Sequence, residues 1–247
     1  MKISFYFKGI FGLLLMGLLV TACKKEEVQE PEDFQELSFD SEAVLDLLPA
    51  GLENSDDFYA QLCVSYVTTG VDMSSFAGSM VVPGDAQNSS GDTWQWSWNY
   101  GGESLTYIWS FDEDGSKRSW SMDIQYNGGP LLDYVDAWEY KDGSGGEVLY
   151  NFNWATLGEE EPSETLNWKY VWKKNGAGDY TIDWYWESDS QEYTYLTQYS
   201  IIVKADGSGS LDTYSEGSKL YHMVWDAQGN GSWVMGDDED SGSWTAG

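Results

Sequence analysis

The sequence predicts an all-β fold: an antiparallel up-and-down meander of about 10–12 strands, forming a barrel or a half-open curved sheet, with N-terminal helices as a lid. Three observations predict it. All fourteen tryptophans lie between Trp94 and Trp244. Most of them sit in runs where a large apolar residue recurs at every second position, as in Trp94-Gln95-Trp96-Ser97-Trp98-Asn99-Tyr100. Side chains alternate between the two faces of a strand, so this pattern describes a sheet with one apolar and one wet face. Glycine-bearing pairs then separate one alternating run from the next, and such short connections force neighbouring strands antiparallel. A β-sandwich fits less well, because the connections read as up-and-down throughout.

The chain divides into four stretches. Residues 1–22 read as a leader: Lys2 and Lys8 form a positive n-region, and Ile10 to Val20 is an apolar run too short to span a bilayer comfortably. Residues 23–39 are charged and nearly free of aliphatic side chains, with Pro31 in the middle, and read as a flexible acidic tether. Residues 40–91 read as a helical lid and connector. The β domain is expected over 92–247.

The leader ends Leu19-Val20-Thr21-Ala22-Cys23. This resembles the lipobox of bacterial lipoproteins: an aliphatic residue at −3, small residues at −2 and −1, then cysteine. The resemblance implies that Cys23 becomes the mature N-terminus and carries acyl chains, which anchor the protein to a membrane. Lys24 follows, where inner-membrane lipoproteins typically carry Asp, so the resemblance implies the outer membrane. Lys24-Lys25-Glu26-Glu27 is also similar to the short charged signals that take Bacteroidota lipoproteins to the cell surface.

Within 40–91, Ser41 to Leu48 reads as a short helix closed by Pro49 and Gly51. A second helix is expected from Asp56 to Thr69. Its aspartates suit the positive end of the helix dipole, and Gly70 suits a left-handed C′ position. Phe58, Tyr59, Leu62, Cys63 and Tyr66 form its core-facing stripe. With Gln61, Ser65 and Thr68 on other sides, this helix suits a lid with one wet face and not a plug. If Cys23 is acylated, Cys63 has no partner in the chain and reads as a small core hydrophobe.

In the β domain the in-phase sets are Leu105-Tyr107-Trp109-Phe111, Trp120-Met122-Ile124-Tyr126, Leu132-Tyr134-Trp138-Tyr140, Val148-Tyr150-Phe152-Trp154, Leu166-Trp168-Tyr170-Trp172, Tyr180-Ile182-Trp184-Trp186 and Tyr193 to Val203. Weaker strands are expected around Leu211–Tyr214, Tyr221–Trp225, Trp233–Met235 and Trp244. Trp96, Trp109, Trp120, Trp154, Trp172 and Trp184 are expected on the buried face and are the candidate ligand contacts. Gln95, Ser97, Ser121 and Asp183 belong on the wet one. The turns are expected at Gly101-Gly102, Asp114-Gly115, Asn127-Gly128, Asp142-Gly143, Asn175-Gly176, Asp206-Gly207 and Gln228-Gly229, where glycine supplies positive φ.

A formal net charge of −30 repels phosphate backbones, so no nucleic acid partner is expected. A single histidine, His222, gives neither a zinc ligand set nor a Ser/His/Asp triad. The Asp-Gly-rich turns lack the ligand spacing of an EF-hand. No cofactor or metal is expected. Paired carboxylates beside aromatic platforms would suit a glycosidase, and Asp123, Asp136 and Asp183 are the acids to examine, Asp136 above all because it falls in phase with aromatics. The leading expectation is a lipid-anchored outer-membrane lipoprotein with a non-enzymatic β domain that binds a partner or a ligand such as a glycan or amphiphile. The alternatives are a structural or assembly accessory without a small ligand, and a glycan-acting enzyme.

Overall fold

The computed structural model describes residues 39–78, 87–90, 92–151, 164–190, 194–236 and 240–247. Three helices lead: α1 (Ser41–Leu45), α2 (Ala50–Glu53) and α3 (Phe58–Gly78). The strands follow as β1 (Gln87–Ser90), β2 (Thr93–Tyr100), β3 (Glu103–Asp114), β4 (Lys117–Tyr126), β5 (Leu131–Tyr140), β6 (Gly145–Asn151) and β7 (Glu164–Lys174). The remainder are β8 (Tyr180–Ser190), β9 (Thr194–Val203), β10 (Gly209–Ser215), β11 (Ser218–Trp225), β12 (Gly231–Met235) and β13 (Asp240–Trp244). Among the described residues these thirteen strands form one antiparallel sheet in strict sequence order, with β1 and β13 as its open edges.

The expected meander is therefore the observed one, half-open, with one strand more. The addition is β1, which pairs Gln87, Asn88 and Ser90 with Gln95, Trp94 and Thr93. It lies in the stretch expected to be connector, because Gln87-Asn88-Ser89-Ser90 has no apolar residue to mark a face. The hairpin glycines behave as expected at most turns; Gly128 (φ 70°) and Gly207 (φ 85°) are two. At Asn175-Gly176 the positive φ falls instead on Gly178.

The alternation also places the faces. Trp109, Trp120 and Trp172 are buried, Trp96 and Trp184 half-buried, and Trp154 lies outside the described residues. Gln95 and Ser97 are exposed, while Ser121 and Asp183 are half-buried on the same outer face.

β5 departs from its expected phase. Met122 pairs with Val135 but Asp123 with Asp133, so Tyr134 is an extra residue and the alternation slips by one. Beyond the bulge Val135, Ala137 and Glu139 face the core. Trp138, Tyr140 and Asp136, expected in phase with the core aromatics, lie on the outer face.

The helices cover the core face on the C-terminal half of the sheet. Phe39 packs against Tyr170 and Trp172 of β7, with ring centroids 5.8 and 5.4 Å apart. α1 begins at Asp40, whose carboxylate accepts from Ala43 N. It ends at Leu45, earlier than expected, because Pro49 starts a new turn and Gly51 lies inside α2. Gly51 sits against the Gln228 carbonyl and the Ala246 methyl, and its own carbonyl accepts from Gly247 N at 3.1 Å.

α3 is capped by Asp57, whose Oδ1 accepts from Tyr59 N at 2.8 Å. It runs well past Thr69. Gly70 is inside the helix and not a C-cap: a Cβ there would lie 2.6 Å from Ile201 Cδ1 and 3.2 Å from Trp184 Nε1. The glycine lets the helix approach β8 and β9 closely. The buried stripe is Ala60, Cys63, Val67 and Val71, flanked by half-buried Tyr59, Leu62 and Tyr66, while Phe58, expected in the stripe, is exposed. Gln61 and Ser65 face water. The helix is a lid with one wet face. Cys63 is fully buried and unbridged, and burial pushes its thiol up to about 12.

Candidate functional site

Strand register builds rows of side chains across the sheet, perpendicular to the strands. One row is the centre of the core. Trp172 opposes Ile182, Ile182 opposes Ile201, Leu211 opposes both Ile201 and Met223, and Met223 opposes Trp233. All six are buried.

The neighbouring row is different. It runs Tyr170, Trp184, Tyr199, Thr213, Tyr221 and Met235 over β7–β12. Tyr170 and Thr213 are buried, but Trp184, Tyr199, Tyr221 and Met235 keep partial access to solvent. Trp184 and Tyr199 stack at 3.8 Å with 10° between planes. From α3, Tyr66 leans on Tyr199 with centroids 5.2 Å apart. Burial raises the Tyr66 phenol above its ordinary range and nearby Tyr221 adds to the effect; burial and then Tyr66 do the same for Tyr199. Three phenols from two strands and the helix therefore gather at one place.

Two polar atoms there are unmatched. Thr213 Oγ1 and Trp184 Nε1 are buried without a hydrogen-bond partner among the described residues. Buried polar groups are nearly always paired, so such atoms call for a water or a ligand. Continued toward β3, the row is Val148, Ala137, Trp120 and Phe111. No member of it is charged, in a chain with 42 acids. The strip is an uncharged aromatic surface with hydroxyl and indole donors.

Of the tryptophans expected to contact a ligand, Trp184 belongs to the half-open part of this row, and Trp120 lies further along it. Trp96 is the other half-open one: it stacks on Tyr107 at 4.8 Å, toward the opposite end of the sheet. Trp109, Trp120 and Trp172 are sealed in the core. Sequence reading missed Tyr66, Tyr199, Thr213 and Tyr221 as a group. Thr213 carried the available signal: alternation from Gly209 through Leu211 places a hydroxyl on an otherwise apolar face.

The outer face gathers acids instead. Asp123 and Asp133 are directly opposed, and Asp136 shares a hydrogen bond with Asp133. Burial first, then the neighbouring carboxylates, raise Asp123 and Asp136 above the usual aspartate range. Touching carboxyls leave no room for a sugar between them, whereas glycosidase pairs stand about 5–10 Å apart. Asp183 lies three strands away from Asp136, or roughly 14 Å at the strand spacing of a sheet. The three acids first singled out do not form one site. Among the described residues no group of His, Cys, Asp or Glu is placed to hold a metal ion. His222 Nδ1 pairs with Asp212 Oδ1 at 2.7 Å, and Lys219 Nζ reaches the same oxygen at 2.7 Å.

This acidic cluster sets a pH dependence. With folded-state values raised, protonated Asp123 and Asp136 support the fold below the ordinary aspartate range, and that support is lost as pH rises through the raised values. Asp133→Asn removes the shared like charge, so it is expected to stabilise the protein by about 0.2–1 kcal/mol at neutral pH. Thermal melts of the two proteins from pH 7 down to pH 3 should converge; a gap that stays constant contradicts the coupling.

Fold and strip together define a single-sheet antiparallel meander whose core face opens along one uncharged aromatic row. No family model, curated protein or solved structure matches the chain.

Proposed function

We propose that the protein is a lipid-anchored outer-membrane lipoprotein with a non-enzymatic β domain that binds a ligand along the aromatic strip beneath α3. The observation that carries the binding half is the contrast between two adjacent rows. A structural accessory needs only the sealed row from Trp172 to Trp233; the half-open row beside it, with its unmatched Thr213 and Trp184 atoms, supports recognition. The anchoring half rests on Leu19-Val20-Thr21-Ala22-Cys23 and on the charged residues 24–39 as a tether. In this reading the membrane is a partner through the acyl chains of Cys23 alone, and display at the cell surface follows from Lys24 to Glu27.

Mass spectrometry of the membrane-extracted protein is expected to find a mature N-terminus at Cys23 bearing fatty acyl groups. Cys23→Ala should release the protein from the membrane fraction. A mature N-terminus at any other residue contradicts the lipoprotein reading.

A further inference from the structure

Resting on the binding reading above, the composition of the strip narrows its ligand to one chemical class. A buried hydroxyl without a partner is costly, so whatever the strip receives should complete the bonds of Thr213 Oγ1. A hydroxyl both donates and accepts, whereas an indole N–H only donates. A fatty chain supplies neither role. A cation finds no carboxylate in the row, and an anion finds no lysine or arginine. A sugar supplies hydroxyls of both roles together with apolar C–H faces that lie against aromatic rings.

The local geometry agrees. Thr213 stands between its cross-strand neighbours Tyr199 and Tyr221, both half-exposed, so a ligand that parts these rings reaches the hydroxyl. The β10–β11 register slips directly after it, between Thr213 and Tyr214. Bulges of this kind re-aim side chains next to functional sites. The stacked Trp184 and Tyr199 rings present aromatic edges beside Thr213, and Tyr66 leans on Tyr199 from the helix.

We propose that the strip formed by Tyr66, Trp184, Tyr199, Thr213 and Tyr221 binds an uncharged saccharide, with a sugar hydroxyl bonded to Thr213 Oγ1 and a sugar ring set against the tyrosines.

The test is calorimetric titration of the full acylated chain in nanodiscs. The probes are maltohexaose, cellohexaose and mannohexaose, with hexagalacturonate, spermine and dodecanoate as charged or aliphatic comparators. At least one neutral hexaose is expected to bind in a way that Thr213→Val weakens, whereas spermine on the acidic surface and dodecanoate in the bilayer should give the same heats with parent and Thr213→Val. Thr213→Val, which removes only the hydroxyl, should weaken that binding by about tenfold or more. It should leave the melting temperature unchanged or raised, while Thr213→Ser should bind as the parent does. Binding of spermine, hexagalacturonate or dodecanoate that Thr213→Val weakens, with no neutral hexaose bound, overturns the saccharide class and leaves the ligand-binding reading intact. A hexaose that binds equally well to Thr213→Val overturns the site, and shows that water alone meets the hydroxyl. A lowered melting temperature in Thr213→Val shows the hydroxyl partnered within the fold and likewise overturns the inference. Silence from every probe removes both the inference and the binding reading.

Discussion

A methyl group placed on Gly209 or Gly231 is expected to destabilise the protein by about 3 kcal/mol or more, at the upper end of what overpacking does. Both glycines open a strand at the turn end of a hairpin and both lie beneath an indole. A Cβ on Gly209 would run into the Trp225 ring and the Ile202 carbonyl; one on Gly231 would run into the Trp244 ring and the Val224 carbonyl. Neither obstacle is the far end of a flexible chain. The rings are also held by their N–H groups: Trp225 Nε1 donates to Gly207 O at 2.9 Å, and Trp244 Nε1 donates to Gly229 O at 2.8 Å. The same tryptophan-over-glycine arrangement recurs between Trp172 and Gly146. Forcing the ring off its glycine therefore loses close packing and a buried hydrogen bond together. Gly176 is the control, since a Cβ there meets nothing within 4 Å. Gly176→Ala should change stability by less than about 0.5 kcal/mol. Urea unfolding of the three variants checks this, and equal midpoints for Gly209→Ala and Gly176→Ala would contradict it.

Arg118→Met is expected to cost about 3 kcal/mol, near the lower end for breaking a buried ion pair because the guanidinium retains some solvent contact. Glu139 is fully buried on the core face of β5, an unusual place for a carboxylate. Arg118 Nη1 lies 3.5 Å from its Oε1, and Arg118 Nε donates to Glu113 Oε1 at 3.0 Å. Lys141 joins from the far side at 2.9 Å from Glu113 Oε2. Removing Arg118 takes a cation away from a desolvated carboxylate, which raises the penalty of keeping that group charged in the core. The double variant Arg118→Met/Glu139→Leu should recover most of the loss, since an apolar pair of similar size suits the core face. Chemical denaturation of both variants decides. A double variant no more stable than Arg118→Met would show that the pair is not the source of the effect.

These features differ in how far the chain announced them. Two-residue alternation made strands β2 to β13 legible, because a sheet with one buried face needs that period in every strand. Pairs such as Asn127-Gly128 marked the turns for an equally local reason. What escaped depended on contacts between distant residues. β1 has no apolar residue in its sequence, and its place is seen only in its pairing to Thr93–Gln95. The β5 bulge is one extra residue, invisible until Asp123 and Asp133 are aligned, yet it turned Glu139 inward and Trp138 outward. Gly70 reads locally as a helix end, but its glycine answers Trp184 and Ile201 across the core. The candidate strip was legible only in part. Trp184 was named from its phase, whereas its grouping with Tyr66, Tyr199, Thr213 and Tyr221 follows from register across four strands and from where α3 lands.

The proposed binding at the strip is tested most directly by ¹⁹F NMR of the full chain labelled with 5-fluorotryptophan, titrated with the neutral hexaoses and assigned through Trp184→Phe. A ligand on the strip should shift and broaden the Trp184 resonance while leaving those of the sealed Trp172, Trp168 and Trp225 in place. A ligand that moves only the exposed Trp98 and the half-buried Trp96, at the opposite end of the sheet, would contradict the account.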